Sequence, residues 1–190
     1  MTATLSTTND IMTTDHIWAW LADVPDPEIP VLSVIDLGIV RDVDIDNGRV
    51  TVKITPTYTG CPATSVIALD IQTALLKKGV ESISVKTVLS PAWTTDWLSE
   101  SGREKLKNYG IAPPQGSAAT CAGLIGASLF GARVGEPALV GMEAKAAPHI
   151  ICPHCASENT EMVSQFGSTP CKASYRCKSC LEPFDYFKAF

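Results

Sequence analysis

The chain has 190 residues, 45% of them hydrophobic, a formal charge of −5 and a sequence pI near 5.1. That is enough apolar material for one or two packed units, and it leaves no net positive field to attract nucleic acid. The first basic side chain is Arg41 and no apolar run approaches membrane-spanning length, so neither a secretory signal, a basic transit peptide nor a membrane segment is expected. A cytoplasmic protein follows, and in that reducing compartment seven cysteines point to metal binding rather than to disulfides.

Residues 1–12, rich in Thr and Ser without periodicity, are expected to form a disordered tail. Thr13 or Thr14 can cap a short helix with Ile17, Trp20, Leu21 and Val24 as its apolar stripe, ended by Pro25. The next loop, Asp26-Pro27-Glu28-Ile29-Pro30, is stiffened by two prolines and carries two carboxylates. By residue type alone it reads as a solvated turn. After the turn Asp36-Leu37-Gly38, residues 37–45 read as a strand. Asn47-Gly48 signals a two-residue hairpin, and residues 49–54 are the antiparallel partner.

That strand runs into Thr55-Pro56-Thr57-Tyr58-Thr59-Gly60-Cys61-Pro62, after which residues 62–78 read as a helix stopped by Gly79. Cys61 is thereby placed at a strand-to-helix turn, facing orphan N–H groups and the positive end of a helix dipole. A thiol so placed tends towards a lowered pKa and a role as nucleophile or metal ligand, although a free cysteine is also commonly a small buried hydrophobe. In the helix, Val66, Leu69, Thr73 and Leu76 share a face that Ile67, Ile71, Ala74 and Leu75 widen. A stripe so broad is expected to pack on a sheet.

Ile83, Val85 and Leu89 alternate as a third strand. Trp93 and Trp97 read as a packed latch rather than a base-stacking platform. Ser99 or Ser101 can cap a last, largely solvated helix that runs to Tyr109. Residues 111–148 read as an Ala/Gly/Pro-rich linker, with a short helix near residues 124–130 and Cys121 as a fortuitous thiol.

Cys152-Pro153-His154-Cys155 and Cys177-Lys178-Ser179-Cys180 can place four sulfurs around one ion. The last unit, 149–190, is too small to bury a stable core unaided and reads as a zinc ribbon. Zn²⁺ is the expected ion, with an Fe–S cluster on the same cysteines as the alternative. Cys171, outside both pairs, is open to three readings: a free core thiol, a substitute ligand, or a redox partner for Cys61. The ribbon carries equal numbers of acidic and basic side chains, and its tail, Phe184-Asp185-Tyr186-Phe187, suits protein docking better than phosphate binding. The same aromatics can cover the ribbon core. The fold expected is α+β: a helix-covered three-stranded mixed or antiparallel sheet over 13–110, then the linker and the ribbon.

Asp26-Pro27-Glu28-Ile29-Pro30, Asp36-Leu37-Gly38 and the Thr55 to Pro62 stretch resemble the signature of the SufT-like domain family linked to Fe–S cluster assembly. With Pro91-Ala92-Trp93-Thr94-Thr95-Asp96-Trp97 and the ribbon sequence they resemble the PaaD family of bacterial 1,2-phenylacetyl-CoA epoxidase systems. The resemblance implies an accessory role in aerobic phenylacetate breakdown, without enzymatic activity of its own. It implies maturation or repair of an Fe–S or di-iron centre in oxygenase or reductase subunits, its partners. It implies Cys61 as a reactive thiol or transient iron or Fe–S ligand, Asp26, Glu28 and Asp36 as supporting acids, and the four ribbon cysteines as metal ligands. The alternative is a structural adaptor that docks oxygenase and reductase through the ribbon. A second copy of the chain stays open as a partner; nucleic acid and membrane are not expected. No Glu-x-x-His pair of the di-iron type occurs, nor a GxGxxG nucleotide fingerprint.

Overall fold

A computed structural model describes residues 12–115 and 150–189. Residues 1–11 of the predicted tail, most of the predicted linker, its short helix and Cys121 lie outside the described residues, while Met12 packs against the first core.

Helix α1 (Thr14–Leu21) opens with a capping box: the Thr13 hydroxyl accepts from His16 N, and Thr13 N donates to the His16 ring. Its Ile17 and Leu21 are fully buried. Strands β1 (Val40–Asp46) and β2 (Arg49–Ile54) pair antiparallel. Asn47 and Gly48, with φ of 49° and 78°, make the tight turn that the dipeptide predicted. Strand β1 starts three residues later than its apolar pattern suggested. Leu37 N and Gly38 N instead donate back to Ser33 and Ile35, which keeps the chain in a turn.

Helix α2 (Thr64–Lys77) carries the chain over the sheet, so β3 (Ser82–Thr87) pairs parallel with β2. The sheet order β1-β2-β3 is therefore mixed. Val50, Val52 and Ile54 of β2 are buried, as are Ile67, Ile71 and Leu75 of α2.

The stripe expected on α2 is corrected here. Val66, Leu69 and Leu76 stand 45–61% exposed. The buried residues follow strict four-residue spacing, because a narrow three-stranded sheet covers only one side of the helix.

Helix α3 (Glu100–Asn108) is capped by Ser99, whose hydroxyl accepts from Gly102 N at 2.9 Å. It leads directly into β4 (Ile111–Ala112). That short strand joins a second sheet of order β4-β7-β6-β5, built with β5 (Thr160–Ser164), β6 (Lys172–Cys177) and β7 (Pro183–Phe187). Strands β5, β6 and β7 are antiparallel, and β4 runs parallel to β7. Tyr175 packs on Phe184 and Tyr186, with ring centroids 5.8 and 5.7 Å apart.

The last residue of β7 does something different. Phe187 leaves the ribbon core and enters the core of the first unit, where its ring meets that of Trp93 edge-on at 6.1 Å. Cys171 accompanies it, since Lys188 N donates to Cys171 O and holds the two strand ends together. Part of the predicted docking tail is thus buried within the chain itself.

Candidate functional site

Two loops and the ribbon converge beside β2. In the first loop, the buried Asp26 side chain accepts from the N–H groups of Glu28 (2.9 Å) and Ile29 (2.8 Å). Those donors close an Asx turn and fix where Glu28 projects. Burial pushes the Asp26 carboxyl above its ordinary value, against the pull of the two N–H groups. In the second loop, Cys61 N donates to Tyr58 O at 3.2 Å, and Thr64 returns both its N–H and its hydroxyl to Cys61 O. Helix α2 begins at Thr64, so Cys61 and Pro62 lie just before it rather than at its first position.

Asp26, Glu28, Thr57, Cys61, Cys171 and Phe187 all line one cavity of about 20 Å³. That is room for about one water-sized body. Tyr58 stands beside Cys61. Its hydroxyl is pushed up to about 12 by burial first, then by the neighbouring Cys61 sulfur, with Glu28 and Cys171 adding to the effect. Cys171 is pushed up to about 11, chiefly by burial. Its sulfur lies 3.0 Å from Thr169 Oγ1, and its thiol donates towards Glu28 Oε2 at 3.6 Å.

Asp36 is not among the residues that line this cavity. It accepts from Ser33 N, Ser33 Oγ, Ser99 Oγ and Lys105 Nζ, the last at 2.6 Å, and it ties α3 to the loop before β1. The structure therefore brings Asp26, Glu28 and Cys61 together and sets Asp36 apart as a fold-holding carboxylate. Cys171 is a free core thiol, one of the three readings the sequence left open, and it lies in the core of the first unit. Sequence reasoning missed the arrival of Phe187 and the place of Tyr58 beside Cys61.

In the ribbon, the sulfurs of Cys152, Cys155, Cys177 and Cys180 all lie within 4.8 Å of one another. Cys152 and Cys180 are 3.8 Å apart, and Cys155 and Cys177 3.6 Å. Turns with Ala156 and Leu181 at positive φ shape the two knuckles. Cys180 N and Ser179 N point at the Cys177 sulfur, and Cys177 is drawn down to about 6, first by the Cys180 N–H. Four thiols so gathered form a metal-binding arrangement. No helix among the described residues is long and apolar enough to cross a membrane.

These features define a two-part protein: an Fe–S assembly-type domain joined to a cysteine-rich ribbon. The model of the family "Iron-sulfur cluster assembly protein" matches residues 14–88, and that of the "PaaD zinc beta ribbon domain" matches residues 138–188. A protein of Escherichia coli (strain K12), named provisionally as the D component of 1,2-phenylacetyl-CoA epoxidase, is 44% identical over 173 residues, 91% of each chain. An Fe-S protein maturation auxiliary factor of Porphyromonas gingivalis (strain ATCC BAA-308 / W83) is 37% identical over 98 residues, 50% of this chain and 92% of that one. The crystal structure of a domain of unknown function, DUF59, from Bacillus anthracis covers 48% of this chain and 89% of its own, at 30% identity and a TM-score of 0.46. The chain belongs to the PaaD family, that of the D component of 1,2-phenylacetyl-CoA epoxidase.

Proposed function

We propose that the chain is an accessory subunit of a phenylacetyl-CoA epoxidase system, in which Cys61 assists assembly or repair of the Fe–S or di-iron centre of a partner oxygenase or reductase subunit. One observation carries this reading: Cys61 opens onto a cavity that the carboxylates Asp26 and Glu28 also line. A thiol with flanking oxygen donors can take iron without the grip of a closed four-thiolate site, which suits a transient carrier. The kinship with Fe-S maturation factors over the first unit agrees with it.

The ribbon holds one Zn²⁺ on Cys152, Cys155, Cys177 and Cys180 in this reading. Sulfurs at about 2.3 Å from a central zinc stand about 3.8 Å apart in a tetrahedron, close to the 3.6 and 3.8 Å found here. That spacing suits one ion better than a multi-iron cluster. The ion would staple the ribbon and take no part in iron transfer.

A strain with Cys61→Ser tests the proposal. It should grow poorly on phenylacetate and yield iron-poor oxygenase or reductase, while the variant keeps its fold and its zinc. Normal growth with fully iron-loaded partners would overturn the role of Cys61 and favour a docking adaptor.

A further inference from the structure

The cavity at Cys61 is completed by a residue from the other half of the chain. Cys171 sits immediately before β6 of the ribbon, yet it is buried in the core of the first unit and lines the same cavity as Cys61, Asp26 and Glu28. We propose that Cys61, Cys171 and Glu28, backed by Asp26, form a composite site for a single divalent cation of borderline softness, such as Fe²⁺, shared between the first unit and the ribbon. The proposal rests on the reading of Cys61 as a metal-handling residue and names the remaining donors.

The donor set selects the ion class. Two sulfurs with one or two carboxylate oxygens favour iron or zinc over magnesium or calcium, which take oxygen ligands. As it stands the cavity of about 20 Å³ has room for about one water-sized body, which matches a single ion better than a preassembled cluster. Lys172, paired with Asp185 at 3.4 Å, also acts on Cys171 and Asp26, so it offsets part of the negative charge that an incoming cation would meet.

The site also differs from the ribbon in its grip. The ribbon sulfurs all lie within 4.8 Å of one another, whereas among the described residues no other three such ligand atoms meet that condition. An ion at Cys61 must therefore draw the donors inward. Because Cys61 belongs to the loop before α2 and Cys171 to the ribbon, that movement couples the two units. An ion held by donors that must be drawn together is easily released, as cargo must be.

The test uses the full-length, zinc-loaded protein, kept reduced and anaerobic, with Co²⁺ as the spectroscopic probe. Wild type should bind one Co²⁺ without losing ribbon zinc, with thiolate-to-metal absorbance in the near ultraviolet. Cys61→Ser and Cys171→Ser should each weaken binding at least about tenfold, the lower end of what even an outer-shell change does, and each should cut the thiolate absorbance to about half. Glu28→Gln should weaken binding and leave that absorbance intact. Cys171→Ala serves as a second variant, and an unchanged thermal transition shows that its fold is kept. If Cys61→Ser loses Co²⁺ while both Cys171 variants bind like wild type, the composite site is wrong and the reading of Cys61 stands. If Cys61→Ser binds like wild type, that reading fails as well. Absence of any second Co²⁺ in wild type also overturns the site.

Discussion

Glu28 and Cys171 are 143 positions apart in the chain, and the Cys171 thiol donates towards the Glu28 carboxylate at 3.6 Å. This contact joins the stiff Asp-Pro-Glu loop to the ribbon in the lining of the Cys61 cavity. The ribbon is therefore a wall of the candidate site as well as an appendage carrying a metal.

Removal of the ribbon metal should be felt in the first unit. The ribbon core is small, and metal binding and folding are coupled in such modules. Its loss withdraws Phe187 from Trp93 and Cys171 from the cavity. A strong chelator should therefore red-shift the emission of Trp93, measured against a Trp93→Phe control. Cys177→Ser should reproduce the shift without chelator. Unchanged Trp93 emission in the metal-free protein would show that the two cores are independent.

Phe187→Ala separates this docking from metal binding. The side chain is 1% exposed, and truncating a buried phenylalanine costs about 3–5 kcal/mol. Urea unfolding should show a loss of that order. The metal content of the ribbon should stay unchanged, because Phe187 lies outside the sulfur cluster.

Asp36 should govern part of the acid limb of stability. Burial raises its pKa, but Lys105, Ser33 and Ser99 outweigh that, and the carboxyl is held below its ordinary 3.8. A carboxyl lowered by folding stabilises the fold at pH above its unfolded pKa. That contribution is lost as pH falls through the lower, folded value. Asp36→Asn should therefore destabilise the protein at neutral pH and flatten its stability profile below about pH 4. An unaltered profile would remove Asp36 from that role.

Gly38→Ala should be poorly tolerated. Gly38 has φ of 64°, and an added Cβ would overlap the Trp97 carbonyl oxygen. Left-handed backbone and steric overlap together cost at least about 2 kcal/mol. A thermal melt should show a clear drop, with Gly48→Ala as the comparison, since a Cβ there meets nothing within 4 Å.

Local features were legible in the sequence because their signals are local. Asn47-Gly48 dictates its own turn, Thr13 and Ser99 cap by short-range hydrogen bonds, and each Cys-x-x-Cys pair brings its sulfurs together within one knuckle. Helix α2 shows where that reading stops. Both of its apolar faces have helical spacing, and only the tertiary partner decides that Ile67, Ile71 and Leu75 go inside while Leu69 stays out. Asp36 and Asp26 look alike as turn carboxylates, yet Lys105, 69 residues on, makes one of them structural. The placement of Cys171 depends on register between β6 and β7 and on Phe187 crossing to another core, and no local pattern encodes that.

The short parallel pairing of β4 with β7 has a topological consequence. Ala112 and Ile150 are both fully buried in the ribbon core, one on each side of residues 116–149. The chain thus enters the ribbon before the Ala/Gly/Pro-rich stretch and comes back to it afterwards. The residues that flank that stretch therefore belong to one unit. The length of the stretch can drift through evolution at small thermodynamic expense, since each doubling of a closed loop adds only about 0.6 kcal/mol, while the thiols at Cys61 and Cys171 keep their alignment.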